Sequence, residues 1–183
     1  MINIIGFDPS LRNWGIAAAK YDPKTDQLDV FHFDVIQPKL SNDKQVRVNS
    51  RDVESAMQLF QKAKAVMQGS HIVCIEVPHG SQSARAMASY GICIGVIGAL
   101  KALDIPVIEV SALDVKKVLG KKDASKAEVI AFVQAKHPNA PYPMHLNQIN
   151  QSKAEHCCDA VVAIYAAMQT ELFKVLRTAH LKG

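Results

Sequence analysis

Residues 1–19 read MINIIGFDPSLRNWGIAAA, an apolar run, a short polar break and a second apolar run. This pattern predicts a tight β-hairpin. Gly6 permits the close approach of another backbone segment, and Pro9 prevents the first strand from continuing as a regular ladder. Asp8 is therefore expected at the end of an apolar strand, where its carboxylate either caps the turn or needs a partner from elsewhere in the chain.

The composition is that of an ordinary globular protein. Its 183 residues are 49% hydrophobic and 21% charged, which predicts a single domain spanning residues 1–183 with its own core. The formal net charge of +4 is a mild basic bias and favours an anionic partner. No segment approaches the roughly 20 consecutive apolar residues of a membrane span, and Met1-Ile2-Asn3 lacks the basic start of a secretory signal. We therefore expect a cytoplasmic protein without membrane contact.

The four cysteines lie mostly within apolar runs and form no CxxC pair. This favours small buried thiols in a reducing compartment. A zinc site formed by His156, Cys157 and Cys158 is disfavoured, because adjacent residues on a helix point in different directions.

Hydrophobic periodicity predicts the remaining elements. A third strand is expected over residues 27–37, followed by an exposed loop over 38–49. Residues 71–76 form a nearly continuous apolar run, typical of a strand that is buried on both faces. We further predict a short strand at 106–110, a loop at 137–152, a last helix from Lys153, and helices at about 50–67, 82–103, 113–119 and 125–135.

Three acids share an unusual setting. Asp8 and Glu76 each stand where an apolar strand ends, and Asp159 is the only charged residue in the helical stretch 157–168. Acids from separate elements, with no adjacent base, usually bind hard cations such as Mg²⁺ or Mn²⁺. Two such ions about 3.5–4 Å apart can activate water in phosphodiester cleavage.

Two further segments suggest contacts with partners. Five lysines lie within the eleven residues 116–126, around Gly120 and the helix-capping signal at Ser125. They form either a solvated face or a set of phosphate contacts. The predicted helix at 82–103 is rich in glycine and alanine, so it belongs to the core or forms part of a dimer face.

Taken in order, several of these segments resemble the RuvC family of Holliday junction resolvases, within the retroviral-integrase and ribonuclease H superfamily. The matching segments are GFDPS at 6–10 with Gly15, Ile75-Glu76, the small-residue helix 83–100, VKKV at 115–118 with Gly120, SKA at 125–127, and residues 156–160. The resemblance implies an α/β fold with an RNase H-like mixed five-stranded sheet, three antiparallel N-terminal strands plus two parallel ones, flanked by helices. It also implies a homodimer that resolves four-way DNA junctions by paired, metal-dependent hydrolysis near the branch point. A branch-migration motor that would act with it is not identified by the sequence.

The resemblance also implies roles for particular residues. Asp8, Glu76 and Asp159 would be metal ligands for Mg²⁺, with Mn²⁺ able to substitute. His156 would complete the catalytic set by binding metal or assisting proton transfer, and Glu155 competes for that fourth position. The expected DNA-contacting residues are Lys116, Lys117, Lys122, Lys126, Arg12 and His79. The aromatic residue that usually follows the second acid in relatives has no clear equivalent here, and His79 is the nearest candidate for it.

Three other interpretations are compatible with parts of the sequence. Gly6-Phe7-Asp8 with Asn13 and Gly15 also resembles the phosphate-binding hairpin of the actin and Hsp70 ATPases, but those need two such domains and a much longer chain. A junction-binding protein with weakened or lost cleavage is the second alternative, because histidine binds Mg²⁺ less readily than a carboxylate does. The third is a nuclease of broader branched-DNA specificity, acting on flaps or forks, since substrate range depends on loops.

Overall fold

The computed structural model describes residues 1–182. The strands are β1 (Ile2–Asp8), β2 (Trp14–Asp22), β3 (Gln27–Ile36), β4 (Ile72–Glu76), β5 (Val107–Val110), β6 (Met144–His145) and β7 (Gln148–Ile149). The helices are α1 (Val48–Met67), α2 (Ala84–Lys101), α3 (Ala112–Leu119), α4 (Lys126–Lys136), α5 (Gln151–Met168) and α6 (Glu171–Lys182). None of the helices described is long and apolar enough to cross a membrane.

Five strands form one mixed sheet in the order β3-β2-β1-β4-β5. The first three strands pair antiparallel, whereas β1 with β4 and β4 with β5 pair parallel. The predicted fold class is therefore confirmed, including the division into three antiparallel and two parallel strands. The residue bounds 1–183 of a single domain stay a prediction.

Helices cover both faces of this sheet. On one face, buried residues of β1 such as Ile5 and Phe7 pack with Leu59 of α1 and Val96 of α2. On the other face, the core is built around α5, which is buried almost all round, as its apolar sequence predicts. The alternation of side chains along each strand assigns successive residues to these two cores.

The helix ends follow from local sequence. Ser111 and Ser125 each accept a hydrogen bond from the third helical residue, whose own carboxylate bonds back to the serine amide, so that α3 and α4 both begin with a capping box. Gly120 ends α3 with φ of 67°, a left-handed conformation that suits glycine. The predicted capping signal at Ser125 is confirmed.

Some element predictions are wrong in detail. Helix α2 is shorter at both ends than residues 82–103, because Ser83 caps its start and Ala102 its end. The predicted loop 137–152 contains the β6–β7 hairpin, in which Leu146 and Asn147 both have positive φ, as a primed two-residue turn requires. The sequence pattern does not separate helix α6 from α5.

Candidate active site

Two of the three acids end adjacent parallel strands. Phe7 of β1 is the register partner of Ile75 of β4, so Asp8 and Glu76 follow at the same level, where neighbouring strands are about 4.8 Å apart. Phe7 and Ile75 face the α1–α2 core. Because side chains alternate along a strand, Asp8 and Glu76 both point to the opposite face, the one covered by α5.

Two glycines let α5 approach that face. A Cβ atom added at Gly6 would lie 2.2 Å from the backbone oxygen of Ala160, and one added at Gly15 would lie 2.1 Å from that of His156. No side chain fits at such distances without moving the helix. Gly6 and Gly15 thus allow the N-terminal half of α5 to lie directly on β1 and β2, which brings His156 and Asp159 to the strand ends.

A hydrogen bond and an ion pair tie the site together. Nδ1 of His156 lies 2.9 Å from Oδ2 of Asp8. Glu155 lies beside it, with its Oε1 3.6 Å from Nε2 of His156 and 2.6 Å from Nζ of Lys126. Lys126 at the start of α4 is therefore held at the edge of the acidic site by Glu155, a contact that the sequence reasoning did not foresee.

The electrostatics show that the acids repel one another. Burial, together with the charge of Asp8, raises the pKa of Glu76 to about 7. Burial, followed by the charges of Asp8 and Glu76, raises the pKa of Asp159 to about 8. The hydrogen bond to Asp8 is the main cause of a raised pKa at His156. A positive charge on His156 would favour the ionised form of the neighbouring carboxylates over the protonated form.

The donor set suits a hard divalent cation, although the side chains do not form a finished cage. Among the His, Cys, Asp and Glu side chains that the structure describes, no three are placed so as to hold a metal ion as they stand. Asp8 is instead hydrogen-bonded to His156. Carboxylate oxygens from Asp8, Glu76 and Asp159 are the ligands that Mg²⁺ and Mn²⁺ prefer, and their mutual repulsion is what a cation would relieve. Their assignment as ligands stays a prediction.

A groove of about 230 Å³ opens beside the first two acids. This acid groove is lined by Asp8, Pro9, Glu76, Pro78, His79, Gly80 and Tyr90. His79 thus lies next to the acids, and its role in contacting DNA stays a prediction. Tyr90 reaches the groove from α2 and was missed, although it is the one tyrosine in a helix of otherwise mostly small and aliphatic residues.

The predicted DNA-contacting lysines differ in their surroundings. Lys116 lies close enough to Glu76 for its charge to oppose the raised pKa of that carboxyl. Lys117 pairs instead with Asp114, at 2.9 Å, and Lys126 pairs with Glu155. Lys122 is exposed near the start of α4. The structure therefore brings Lys116 and Lys126 to the acids, whereas Lys117 is turned to a partner on its own helix.

The mixed sheet in the order β3-β2-β1-β4-β5, with helices on both faces, is an RNase H-like α/β fold. More narrowly, the structure is similar to RuvC of Thermus thermophilus in complex with a Holliday junction substrate, with a TM-score of 0.64 and 19% identity, covering 92% of this chain and 96% of that chain. A second structure of Thermus thermophilus RuvC gives a TM-score of 0.59 at 19% identity, covering 90% and 96% of the two chains.

The Holliday junction resolvase of fowlpox virus is also similar, with a TM-score of 0.58 and 14% identity, covering 92% of this chain and 99% of that chain. No family model matches the sequence, and no curated protein matches it. At these identities the likeness shows the fold, and the predicted RuvC-like resolvase fold is confirmed along nearly the whole chain.

Proposed function

We propose that this protein is a structure-selective endonuclease that resolves four-way DNA junctions by metal-dependent phosphodiester hydrolysis near the branch point. The observation that carries the proposal is the convergence of Asp8, Glu76 and Asp159 at one edge of a RuvC-like sheet. Two of the similar structures are a RuvC bound to a Holliday junction substrate and a viral Holliday junction resolvase, which supports this substrate class. The mild positive charge of the chain agrees with a nucleic-acid partner.

In this proposal Asp8, Glu76 and Asp159 hold Mg²⁺ or Mn²⁺, and His156 is the fourth residue of the catalytic set. When bound, a pair of such ions supplies an activated water and charge stabilisation at the leaving oxygen. His156 lies within hydrogen-bond distance of Asp8, so its ring can hold or release a proton beside that carboxylate. Glu155 fits the fourth position less well, because its carboxylate is already paired with Lys126.

The remaining residues of the site bind and orient the DNA. Lys116 stands near Glu76 and can neutralise a phosphate there. His79 and Tyr90 border the acid groove and offer ring faces against which an unpaired base can stack. Arg12, Lys122 and Lys126 are proposed as further contacts to the phosphate backbone, whereas Lys117 is paired with Asp114.

We also propose a homodimer, which the exposed face of α2 supports. Residues Ala84, Met87, Ala88, Gly91, Ile94, Gly95, Gly98 and Ala99 are all exposed and recur at helical spacing. An added Cβ at Gly91, Gly95 or Gly98 would meet no other atom, so these glycines are not required by packing within the chain. A second copy of this helix could approach them closely, and two copies would present two active sites to one junction.

The experiment that tests the proposal is a gel assay on a labelled synthetic four-way junction, with Mg²⁺, with Mn²⁺ and with chelator. We expect metal-dependent, symmetric nicks near the branch point. Equal or faster nicking of flaps and forks would favour the broader branched-DNA nuclease. A shifted band without nicks in either metal would favour the junction-binding protein, for which the hydrogen bond between His156 and Asp8 is the supporting observation.

A further inference from the structure

A second cavity borders the connection between β1 and β2. It has a volume of about 760 Å³ and is lined by residues from three parts of the chain: that connection, the segment 37–55, and the start of α2. Its charged lining residues are Arg12, Arg51, Arg85 and Asp52. We call it the arginine cavity, and of its charged residues only Arg12 has been given a role above.

One of the three guanidinium groups is compensated within the protein. Arg85 donates two hydrogen bonds to the carboxylate of Asp52, both at 2.6 Å. That contact, with a smaller contribution from the charge of Arg12, lowers the pKa of Asp52. Asp52 is the one acid among the described residues that line the cavity, so Arg12 and Arg51 remain as net positive charge.

Arg51 has a buried donor without an acceptor. Its Nη2 donates to the backbone oxygen of Asp43, but its Nε is buried and has no hydrogen-bond partner within residues 1–182. Buried N–H groups in folded proteins are nearly always paired, because an unpaired one loses its hydration without compensation. The Nε is closed off from the cavity, but Arg51 is one of the lining residues, and a guanidinium binds phosphate oxygens particularly well.

The start of α1 adds to the positive potential. This helix of 20 residues begins at Val48 with no side-chain cap and no acidic residue in its first turn. Its first amide N–H groups therefore have no acidic side chain in the first turn beside them, and the helix dipole favours an anion at this end. Val48 and Arg51 both line the cavity.

We infer that the arginine cavity binds a phosphate of the DNA backbone, on the strand whose scissile bond lies at the acid groove. This inference rests on the proposed function. Pro9 lines the acid groove and Arg12 lines the arginine cavity. Asp8 and Arg12 are four residues apart, so their Cα atoms are separated by at most about 15 Å, which corresponds to about four nucleotides along one strand. The volume suits a nucleotide unit of a longer strand better than an isolated ion.

The test combines a protein variant with a change in the DNA. Single phosphates within about five nucleotides of the cut are replaced by uncharged methylphosphonates, and junction affinity is measured in chelator by fluorescence anisotropy. For the unmodified protein we expect one or two positions at which the replacement weakens binding roughly tenfold or more. In Arg51→Gln the same replacement should cost less than about twofold, because the contact is already lost.

A matched control is available in Arg47→Gln. Arg47 is exposed, precedes α1 and does not line the cavity, so its variant should keep the full penalty at the same positions. Arg12→Gln, on the surface connection, serves in the same way as Arg51→Gln if the latter does not fold. An identical methylphosphonate profile in the unmodified protein and in both cavity variants would overturn the inference.

A second measurement separates DNA phosphate from free phosphate. The Nε–Hε signal of Arg51 is followed by NMR in the metal-free protein without DNA, while inorganic phosphate replaces chloride at constant ionic strength. A shift of this signal together with methylphosphonate coupling supports the inference. A shift without coupling shows that the cavity takes free phosphate and overturns the assignment to DNA. If neither a shift nor coupling is observed, the assignment of the cavity as an anion site is overturned as well.

The inference and the proposed function fail in different ways. If the cavity variants remove the methylphosphonate penalty but the protein never nicks the junction, the proposed nuclease is contradicted. The assignment of the cavity as a phosphate site is then kept. Metal-dependent nicking without any coupling would contradict the cavity alone.

Discussion

His156 Nδ1 lies 2.9 Å from Asp8 Oδ2, although the two residues are 148 positions apart in the chain. The contact joins the N-terminal part of α5 to the end of β1, and it links the acids of the helix to those of the strands. A cation that binds Asp8 through this oxygen must compete with the hydrogen bond. His156 therefore influences the availability of the first proposed metal ligand.

Replacing Asp8 by asparagine distinguishes the role of this residue in cleavage from any role in junction binding. The asparagine amide can keep a hydrogen bond to His156, but the substitution removes a carboxylate from the proposed metal ligands. We expect Asp8→Asn to lower single-turnover cleavage by at least about 10³-fold and to leave junction affinity in chelator within about threefold. The measurements are quenched cleavage time courses and a binding titration on the same junction.

The matched control is Asp104→Asn. Asp104 is exposed between α2 and β5, at the opposite end of the parallel strands, so the variant should cleave normally. Loss of junction binding by Asp8→Asn would show that Asp8 supports the fold of the DNA-facing surface, and the metal assignment would then fail.

The partly buried acids should make the metal-free protein less stable as the pH rises. The pKa of Asp159 is raised from 3.8 to about 8 in the folded protein, so the folded state binds more protons than the unfolded state between these values. Stability from this group is therefore present at low pH and is lost progressively as the pH rises toward 8. Asp159→Asn removes the titration and should raise Tm in chelator at pH 8 by roughly 3–10 °C.

The decisive quantity is the difference in Tm between Asp159→Asn and the unmodified protein, measured from pH 5 to pH 9 in chelator. We expect this difference to grow with pH, because only the unmodified protein must ionise the partly buried carboxyl of Asp159, whereas both proteins must ionise Glu76. Mg²⁺ should then stabilise the unmodified protein more than the variant at pH 8. A difference in Tm that does not change with pH would mean that Asp159 is not forced to ionise in an unfavourable site.

Much of this architecture could be predicted from local patterns in the sequence. The hydrophobic alternation and the apolar runs of the five strands reflect which faces of each strand are buried. Each pattern can be read from the sequence of that strand alone. Asp8 and Glu76 were recognisable because a carboxylate at the end of an apolar strand is unusual. Asp159 was recognisable as a lone charge in an apolar helix.

What could not be predicted depends on contacts between distant segments. Gly6 was expected to permit close approach, but its partner Ala160 is set by how α5 lies across the sheet. The pairing of Lys126 with Glu155 joins residues 29 positions apart, and nothing in either local pattern indicates it. Arg51 and Arg85 come together only because α1 and α2 pack side by side, so their cavity was not visible in the sequence.

Lys116 should contribute more to DNA binding than Lys117. The charge of Lys116 is felt at Glu76, whereas Lys117 is paired with Asp114 on the same helix. Each phosphate contact adds about 0.9 to the slope of log K against log salt concentration. We therefore expect Lys116→Ala to reduce this slope by about 1, measured by junction binding between about 50 and about 200 mM salt.

The comparison with Lys117→Ala provides the control, since that variant removes the same charge from the neighbouring position. We expect its slope to stay close to that of the unmodified protein, and the double variant to resemble Lys116→Ala. Equal effects of the two single variants would show that both lysines reach phosphates, and unchanged slopes in both would assign them to a solvated face.

A substitution at a glycine of α2 tests the dimer, because it should stabilise the monomer and weaken the association of two copies. Gly95 lies on the exposed face of α2 and lines an apolar groove with Val53 and Phe60 of α1, and Val53 is 71% exposed. Because an added Cβ there would meet no atom of the same chain, Gly95→Ala should stabilise the monomer by about 0.5–1 kcal/mol through its lower backbone entropy when unfolded.

The same substitution should weaken a dimer in which two α2 helices approach closely at Gly95, and Gly95→Glu should abolish it by placing a charge in an apolar interface. Sedimentation velocity over a range of concentrations measures how each of the two Gly95 variants associates. Gln61→Glu on α1, outside the groove, is the control for added charge. Association that is unchanged in both Gly95 variants would place the interface elsewhere. An unmodified protein that stays monomeric at every concentration would instead contradict the paired nicking of one junction by two copies of this chain.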